Sequence, residues 1–195
     1  MVFLYKSALN LIEEKQLLLE IKMDPSRFSV LFDTYYTQIF SYLFHRVADF
    51  EIARDITSET FLRAFLNISA FKWKGVSFSY WLFRIANNEM NQYFRKSKYS
   101  FTSLDLLVES SGWDAADPKT TVEEKMAMEK ELQKHADYLI IQKKLRMLPL
   151  AYQEVIALRY FEQKSIKEVA MILNKREGTI KSLLSRGIEK LREMI

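Results

Sequence analysis

Residues 78–98, FSYWLFRIANNEMNQYFRKSK, combine amide, cationic and aromatic side chains that could contact nucleic acid. Amide groups donate and accept hydrogen bonds in one plane, which suits base edges, and cations neutralise phosphates. Aromatic rings can stack on an unpaired base. The side chains concerned are Arg84, Asn87, Asn88, Asn91, Gln92, Arg95 and Lys96, together with Phe78, Tyr80 and Trp81. The alternative interpretation is an amphipathic helix with a solvated polar face.

Apolar spacing predicts that this stretch is one helix with one face on a core, because apolar residues recur every three to four positions. That stripe consists of Leu82, Ile85, Ala86, Met90 and Tyr93. The preceding segment 72–79, KWKGVSFS, is predicted to be a loop in which Gly75 relaxes the backbone and two lysines flank Trp73. Either Ser77 or Ser79 is expected to cap the helix.

The C-terminal stretch carries the signals of a helix-turn-helix. Ser165 with Glu168 three residues later is a capping-box pattern, and Asn174 stands where the turn needs a left-handed residue. A long basic helix follows, whose polar residues suit the major groove and whose cations suit phosphates. These residues are Arg176, Glu177, Thr179, Lys181, Ser182, Ser185 and Arg186. A plain helical hairpin is the alternative.

Further helices are predicted before each of these stretches. A short first helix ends before Pro25, with a stripe of Leu4, Ala8, Leu11, Ile12 and Leu18. A second helix spans residues 28–47, and a third, capped by Asp49, runs to about residue 71. The third helix has a stripe of Ile52, Ile56, Phe61, Ala64, Phe65 and Ile68. Residues 139–161 form two helices broken at Pro149.

Composition predicts an all-α protein, because four glycines and three prolines in 195 residues leave little material for tight turns between strands. The net charge of +4 permits a polyanionic partner. The absence of cysteine excludes disulfides and thiolate chemistry, and the two histidines, His45 and His135, are far apart, so no metal or other cofactor is expected. Without a signal peptide or an apolar run of membrane-spanning length, the chain is expected to be cytoplasmic.

A change in composition divides the chain into two small helical domains. Residues 100–131 contain eight acidic and three basic residues, with Ser, Gly and Pro near their centre, which is typical of a linker. The predicted division is an N-terminal extension over 1–24, a first domain over 25–98, an acidic linker over 99–137 and a helix-turn-helix domain over 138–195.

Three motifs in this order make the chain resemble an extracytoplasmic-function (ECF) sigma factor of the sigma-70 family. They are ARDITSETFLRAF at 53–65, FSYWLFRIANNEMNQYFRK at 78–96 and the segment 148–192 from LPLAYQEV to EKLR. With residues 28–47, the resemblance extends from Phe28 to Leu191. It implies a non-enzymatic protein whose partners are core RNA polymerase, duplex −35 DNA and the melted −10 non-template strand. An anti-sigma factor is a further partner common in such families.

The resemblance also assigns roles to individual residues. Core polymerase would bind the third-helix residues Asp55, Ser58, Glu59 and Arg63, which the charge pattern alone would leave to solvent. The −10 element would contact Lys72, Trp73, Lys74, Phe78, Tyr80, Asn88, Asn91, Gln92, Arg95 and Lys96, with the loop capturing a flipped base. The −35 element would contact the seven polar residues from Arg176 to Arg186. The acidic linker matches the segment that follows the RNA path of the polymerase.

Two features depart from the family pattern. Leu183 stands where relatives often carry a basic residue, so packing could replace a phosphate contact there. The N-terminal extension has no matched counterpart, and Met23 is an alternative start. A stand-alone helix-turn-helix regulator is the main alternative function, since that class binds duplex DNA without polymerase. A helical enzyme is disfavoured because the sequence shows no nucleophile–base pair, phosphate loop or metal cluster.

Overall fold

Four helices precede the acidic linker in the computed structural model, which describes residues 9–98 and 137–194 and, at 96–98, the backbone only. They are α1 (Leu11–Met23), α2 (Phe28–Val47), α3 (Phe50–Asn67) and α4 (Ser79–Lys98). Short 3-10 turns at Pro25–Arg27 and Ile68–Ala70 follow α1 and α3. All regular structure in the described ranges is helical, which confirms the predicted fold class.

Local capping signals define where these helices begin. Asn10 and Glu13 form a capping box at the start of α1, and the Asp49 side chain accepts a hydrogen bond from the Ile52 amide at 2.9 Å. The Asp49 cap is as predicted. α2 ends at Ala48, which adopts a left-handed conformation with φ 53°.

The buried stripes differ from the predicted ones in two helices. In α1 the buried residues are Glu14, Leu17, Leu18 and Ile21, whereas the predicted core residue Ile12 is 82% exposed. In α3 the threonines Thr57 and Thr60 are buried because their hydroxyls donate to carbonyls one turn earlier, at 2.6 and 2.7 Å. A buried hydroxyl satisfied in this way costs little, so it can replace an aliphatic side chain.

The second group of helices is α5 over the described residues 137–147, α6 (Leu150–Ile156), α7 (Ile166–Leu173) and α8 (Glu177–Met194). A π-helix, Ala157–Phe161, continues α6. The capping box at Ser165 and the left-handed Asn174, φ 52°, are both present as predicted. Gly187 lets α8 approach α6, because a Cβ there would lie 3.1 Å from the Ile156 Cδ1.

The two groups of helices pack against each other. α4 contacts α7, and α2 contacts the π-helix. The His45 ring stacks on Phe161 with centroids 4.3 Å apart, and the Gln142 amide donates to the Phe44 carbonyl at 2.9 Å. Burial lowers the pKa of His45 to about 4. These contacts place the start of the helix-turn-helix beside α4.

The predicted linker, and His135 within it, lie outside the described residues apart from residue 137. Among the helices that are described, none combines the length and apolar character needed to cross a membrane. The described ranges also contain no group of three or more potential metal-ligating side chains.

Candidate nucleic-acid interface

A cleft along α4 brings together most of the side chains predicted to contact the −10 element. It encloses about 1210 Å³ and is bounded by the loop before α4, by the exposed side of α4 and by the end of α7. We call it the α4 cleft. Among its lining residues are Lys72, Lys74, Tyr80, Asn88, Asn91, Gln92 and Arg95.

Positive charge dominates the α4 cleft. Five of its lining side chains are cations and one, Glu89, is an acid. The cations are Arg63, Lys72, Lys74, Arg84 and Arg95. A groove that combines cations with exposed amides can hold a phosphate backbone while hydrogen-bonding base edges. The Asn88 side chain is exposed in this cleft and makes no hydrogen bond to any other described residue.

The loop leading into α4 is fixed by aromatic packing. Phe78 has no exposed surface, since its ring packs on Phe71 at 5.2 Å and on Trp81 at 5.3 Å. The predicted stacking of Phe78 on a base therefore does not fit its position. Trp73 is half-buried against the core, and the side chain of Lys96 is outside the described part of the chain.

Polar groups from the preceding loop and from α1 complete the first turn of α4. The Ser79 amide donates to the Ser77 hydroxyl at 3.2 Å, so Ser77 is the capping serine. The Phe78 amide donates to a carboxylate oxygen of Glu14 at 2.8 Å. Burial raises the pKa of Glu14, and the hydrogen bonds that its carboxylate accepts oppose that rise. The sequence analysis missed Glu14, because an acid within LIEEKQ resembles a surface residue.

Asn87 lies in the core rather than on the polar face predicted for it. Only 5% exposed, it accepts a hydrogen bond from the Arg46 guanidinium at 2.6 Å and one from the Tyr42 hydroxyl at 2.7 Å. Arg46 itself is fully buried and also donates to the Tyr42 hydroxyl at 3.0 Å. Burial raises the pKa of Tyr42 to about 12. This polar cluster joins α2 to α4.

Three side chains of the α4 cleft are bonded to the helix-turn-helix domain. The Tyr80 hydroxyl donates to Glu168 at 2.6 Å, and the Asn91 amide donates to Glu154 at 3.1 Å. Arg84 donates to the carbonyls of residues 171 and 172, at 2.8 and 3.2 Å, where α7 ends. Cations are favoured at the carboxyl end of a helix. The two domains therefore meet across residues predicted to contact DNA.

The predicted polymerase-binding residues form one surface on α3, which we call the α3 face. Asp55 and Ser58 are exposed, while Arg63 bridges Glu59 at 2.8 Å and the nearly buried Glu89 of α4 at 3.0 Å. Arg63 thus also ties α3 to α4. The same face carries apolar surface that the sequence analysis did not assign, namely Leu62, 51% exposed, and Leu66, 65% exposed. Their signal was spacing, because Leu62 follows Glu59 by three residues and Leu66 follows Arg63 by three, which places each pair on one face of the helix.

The predicted −35 surface is open on α8. All seven polar residues from Arg176 to Arg186 are exposed, and none of their side chains hydrogen-bonds another described residue. The opposite face is buried through Ile180, Leu184 and Leu191. Leu183 is half-buried against the core, so packing does occupy this position. α8 presents a basic polar surface of the kind that enters a major groove.

Comparison with known proteins identifies the family. The model of sigma-70 region 2 matches residues 31–99, and that of sigma-70 region 4 matches residues 138–191. The chain is 31% identical to the ECF RNA polymerase sigma factor SigW of Bacillus subtilis, over 89% of this chain and 91% of SigW. It is 30% identical to the ECF sigma factor BldN of Streptomyces coelicolor, over 88% of this chain but only 61% of BldN.

A solved structure with the same fold supports the assignment. CnrH, in complex with the cytosolic domain of CnrY, superposes with a TM-score of 0.64 over 93% of this chain and 96% of CnrH, at 17% identity. At this identity the likeness concerns the fold alone. The two matched regions and the similarity to SigW show that this chain belongs to the family of ECF RNA polymerase sigma factors.

Proposed function

We propose that this chain is an alternative sigma factor that binds core RNA polymerase, recognises −10 and −35 promoter elements and directs promoter-specific transcription initiation. The observation that carries the proposal is the pair of nucleic-acid surfaces in one chain, the cationic α4 cleft and the open polar face of α8. A stand-alone regulator needs only the second of these surfaces. The protein supplies recognition, and the polymerase supplies the catalysis.

The α4 cleft is proposed to hold the melted −10 strand. Its lysines and arginines would neutralise phosphates, while Asn88, Asn91 and Gln92 would hydrogen-bond bases. Removing a base from the stack costs a few kcal/mol, and stacking on an aromatic ring returns about 1–3 kcal/mol. With Phe78 buried, the aromatic residues of this region that keep some exposed surface are Phe71, Trp73, Tyr80 and Trp81.

The α3 face is proposed to dock on core polymerase. Its charged residues Asp55 and Glu59 border the exposed Leu62 and Leu66, so the surface combines an apolar centre with a polar rim. That composition is typical of protein–protein interfaces. An anti-sigma factor is a further proposed partner, since it could act by covering the same surfaces. Because polymerase works in the bacterial cytoplasm, the proposal places this chain there too.

Transcription in vitro tests the proposal. Purified protein and core polymerase are added to a randomised promoter library, and the transcript starts are sequenced. The expected result is new starts that share two motifs at a fixed distance upstream. Binding to one duplex motif by the protein alone, with no polymerase-dependent starts, would instead favour a stand-alone regulator.

Variants on the α3 face separate docking from DNA recognition. Leu66→Ala is expected to weaken competition for core polymerase about tenfold, because truncation of a central interface residue costs more than about 1 kcal/mol, and Glu59→Ala is expected to weaken it by a smaller factor, because Glu59 lies on the rim. Lys15→Ala on the exposed side of α1 is a control outside the face. Unchanged competition by both variants would remove the α3 face from the docking site.

A further inference from the structure

Glu14 lies directly behind the α4 cleft, although it belongs to α1 and precedes the matched region-2 segment. Its side chain has no exposed surface. The helix that carries it is held on the first domain by the buried side chains of Leu17, Leu18 and Ile21. Packing of α1 therefore fixes the position of the carboxylate.

Three donors from two other parts of the chain converge on one oxygen of this carboxylate. Its Oε1 accepts hydrogen bonds from the Phe78 amide at 2.8 Å, from the Ser77 hydroxyl at 3.1 Å and from the Tyr35 hydroxyl. Ser77 and Phe78 join the loop to the first turn of α4, where the helix dipole favours a negative charge. Glu14 thus ties the downstream end of the loop to α1.

The loop has few other anchors. At its upstream end, the Phe71 amide donates to the Ile68 carbonyl at 3.1 Å. Within the described part of the chain, no hydrogen bond begins or ends at residues 72–76, and Gly75 adopts φ +72°. Yet Lys72, Lys74 and Val76 line the α4 cleft. Apart from the packing of Trp73 against the core, their positions therefore depend on the bonds that hold the two ends of the loop.

We propose that Glu14 is a positioning residue for promoter opening, which holds the 72–77 loop in the geometry that captures an unstacked base of the −10 element. The inference rests on the proposed function of the α4 cleft. It gives α1 a role in −10 specificity, in addition to the apolar packing that attaches it to the first domain.

The carboxylate chemistry explains why glutamine would not replace Glu14. A glutamine amide could keep one accepting oxygen, but its NH₂ would occupy the site of Oε2. That oxygen is buried and has no hydrogen-bond partner among the described residues, so the NH₂ would be left without an acceptor. A buried unsatisfied donor is costly, and the charge at the start of α4 would also be lost.

Single-round transcription on a panel of −10 substitutions tests the proposal with the full-length protein and core polymerase. For each variant, the readout is the ratio of transcription from the consensus base to transcription from each other base. Glu14→Gln is expected to reduce this ratio about tenfold at the captured position and to leave ratios at −35 positions unchanged. A loss of active protein lowers all rates together and leaves every ratio unchanged, so a purely structural role would not produce this pattern.

Two further variants complete the design. Glu13→Gln removes the same charge from an exposed position on the same helix and should keep the wild-type ratios. Tyr35→Phe removes one donor to Glu14 from a core residue that does not line the cleft, and should reduce the ratio at the same −10 position by a smaller factor. Wild-type ratios in Glu14→Gln would overturn the positioning role while leaving the sigma-factor function intact. Failure of the wild-type protein to direct transcription would instead overturn the proposed function.

Discussion

Asn87 and Asn88 are adjacent in sequence, but their side chains lie in different environments. The carboxamide oxygen of Asn87 accepts a hydrogen bond from Nη1 of the buried Arg46, whereas the side chain of Asn88 faces the α4 cleft with no partner in the described structure. A one-residue step along a helix turns the side chain by about 100°, enough to separate core from surface. The two asparagines therefore offer a matched pair for separating stability from recognition.

Asn88→Ala is expected to relax base preference at one −10 position about fivefold, the value of one hydrogen bond. Affinity for core polymerase should stay at the wild-type level, because Asn88 lies outside the α3 face. Transcription from −10 variants, together with competition for core, measures both quantities. An equal loss on every promoter sequence would show that Asn88 does not recognise a base.

Asn87→Ala is expected to lower the free energy of unfolding by about 2–3 kcal/mol, because it leaves Arg46 buried with one fewer acceptor. Urea denaturation measures this loss, and Asn88→Ala serves as the exposed control, with a change within about 0.5 kcal/mol. Similar stabilities for both variants would mean that the Tyr42–Arg46–Asn87 cluster adds little to the fold.

At the scale of elements, the π-helix places an acid in the interior where it influences stability. Glu162 follows the π-helix, is 6% exposed and has both carboxylate oxygens buried. Burial raises its pKa from 4.5 to about 7. Between these two values the folded state holds a proton that the unfolded state has released, so the stability of the wild-type protein falls as pH rises through this window.

Glu162→Gln removes this titration. As pH rises from 4.5 to 8, the free energy of unfolding of the variant is expected to increase by about 3 kcal/mol relative to that of the wild type, which is the equivalent of the pKa shift. The difference in unfolding free energy at several pH values measures the gain. His45 contributes a slope of opposite sign between its lowered pKa of about 4 and 6.5, but it is present in both proteins and cancels. Glu193→Gln, at an exposed acid, should show no such gain.

The open face of α8 leads to a second prediction at this scale. Lys181→Ala or Arg186→Ala should weaken binding to every −35 sequence, since each removes one phosphate contact. Each should also reduce the slope of log affinity against log salt concentration by about one. Promoter binding by the complete holoenzyme over a range of salt concentrations measures the slope. Lys15→Ala removes an equal charge from α1 and should leave the slope unchanged. An unchanged slope in all three variants would remove these cations from the phosphate-binding set.

Elements with local signals were predictable from sequence, and positions set by distant partners were not. The caps at Asp49 and Ser165 and the turn at Asn174 depend on neighbouring residues, so their chemistry is visible in the sequence. The burial of Phe78 instead depends on packing against the rings of Phe71 and Trp81. An aromatic residue beside lysines matches both a base platform and a core residue, and only tertiary structure separates the two.

The burial of polar residues and the contacts between the two domains could not be predicted from the sequence for the same reason. Buried Asn87 could not be distinguished from its surface neighbours without knowledge of Arg46, which is 41 residues away. The family motifs placed the residues predicted to contact DNA on α4 and α8, but no sequence pattern indicated that Tyr80 and Asn91 would bond to the second domain. These two polar pairs leave weak sequence signals because their members are 63 and 88 residues apart in the chain.

At the scale of the whole molecule, the second domain packs beside the surface proposed to hold the −10 strand. The −10 and −35 elements are separated by about 25 base pairs, or about 85 Å at 3.4 Å per base pair. In the structure, α7 of the second domain borders the α4 cleft. The predicted linker of 39 residues could span at most about 130 Å when extended, so the chain is long enough for the domains to separate.

Separation of the domains requires the hydrogen bonds between them to break, and those bonds use side chains that are proposed to contact DNA. Asn91 cannot donate fully to a base while it donates to Glu154. Glu154→Ala should therefore raise the affinity of the isolated protein for a single-stranded −10 oligonucleotide about threefold to fivefold, the value of one hydrogen bond. Fluorescence anisotropy with a labelled oligonucleotide measures the change.

A higher affinity caused by the loss of negative charge must be separated from one caused by freeing the Asn91 amide, because removal of any carboxylate favours binding of a polyanion. Glu189→Ala removes the same charge from an exposed position on α8, away from the cleft. If freeing the Asn91 amide is responsible, affinity for the oligonucleotide should increase more in Glu154→Ala than in Glu189→Ala. This difference should persist at high salt, because screening weakens long-range attraction but not competition for a hydrogen-bond donor. Equal gains at all salt concentrations would show that the bond between the domains does not restrict access to the α4 cleft.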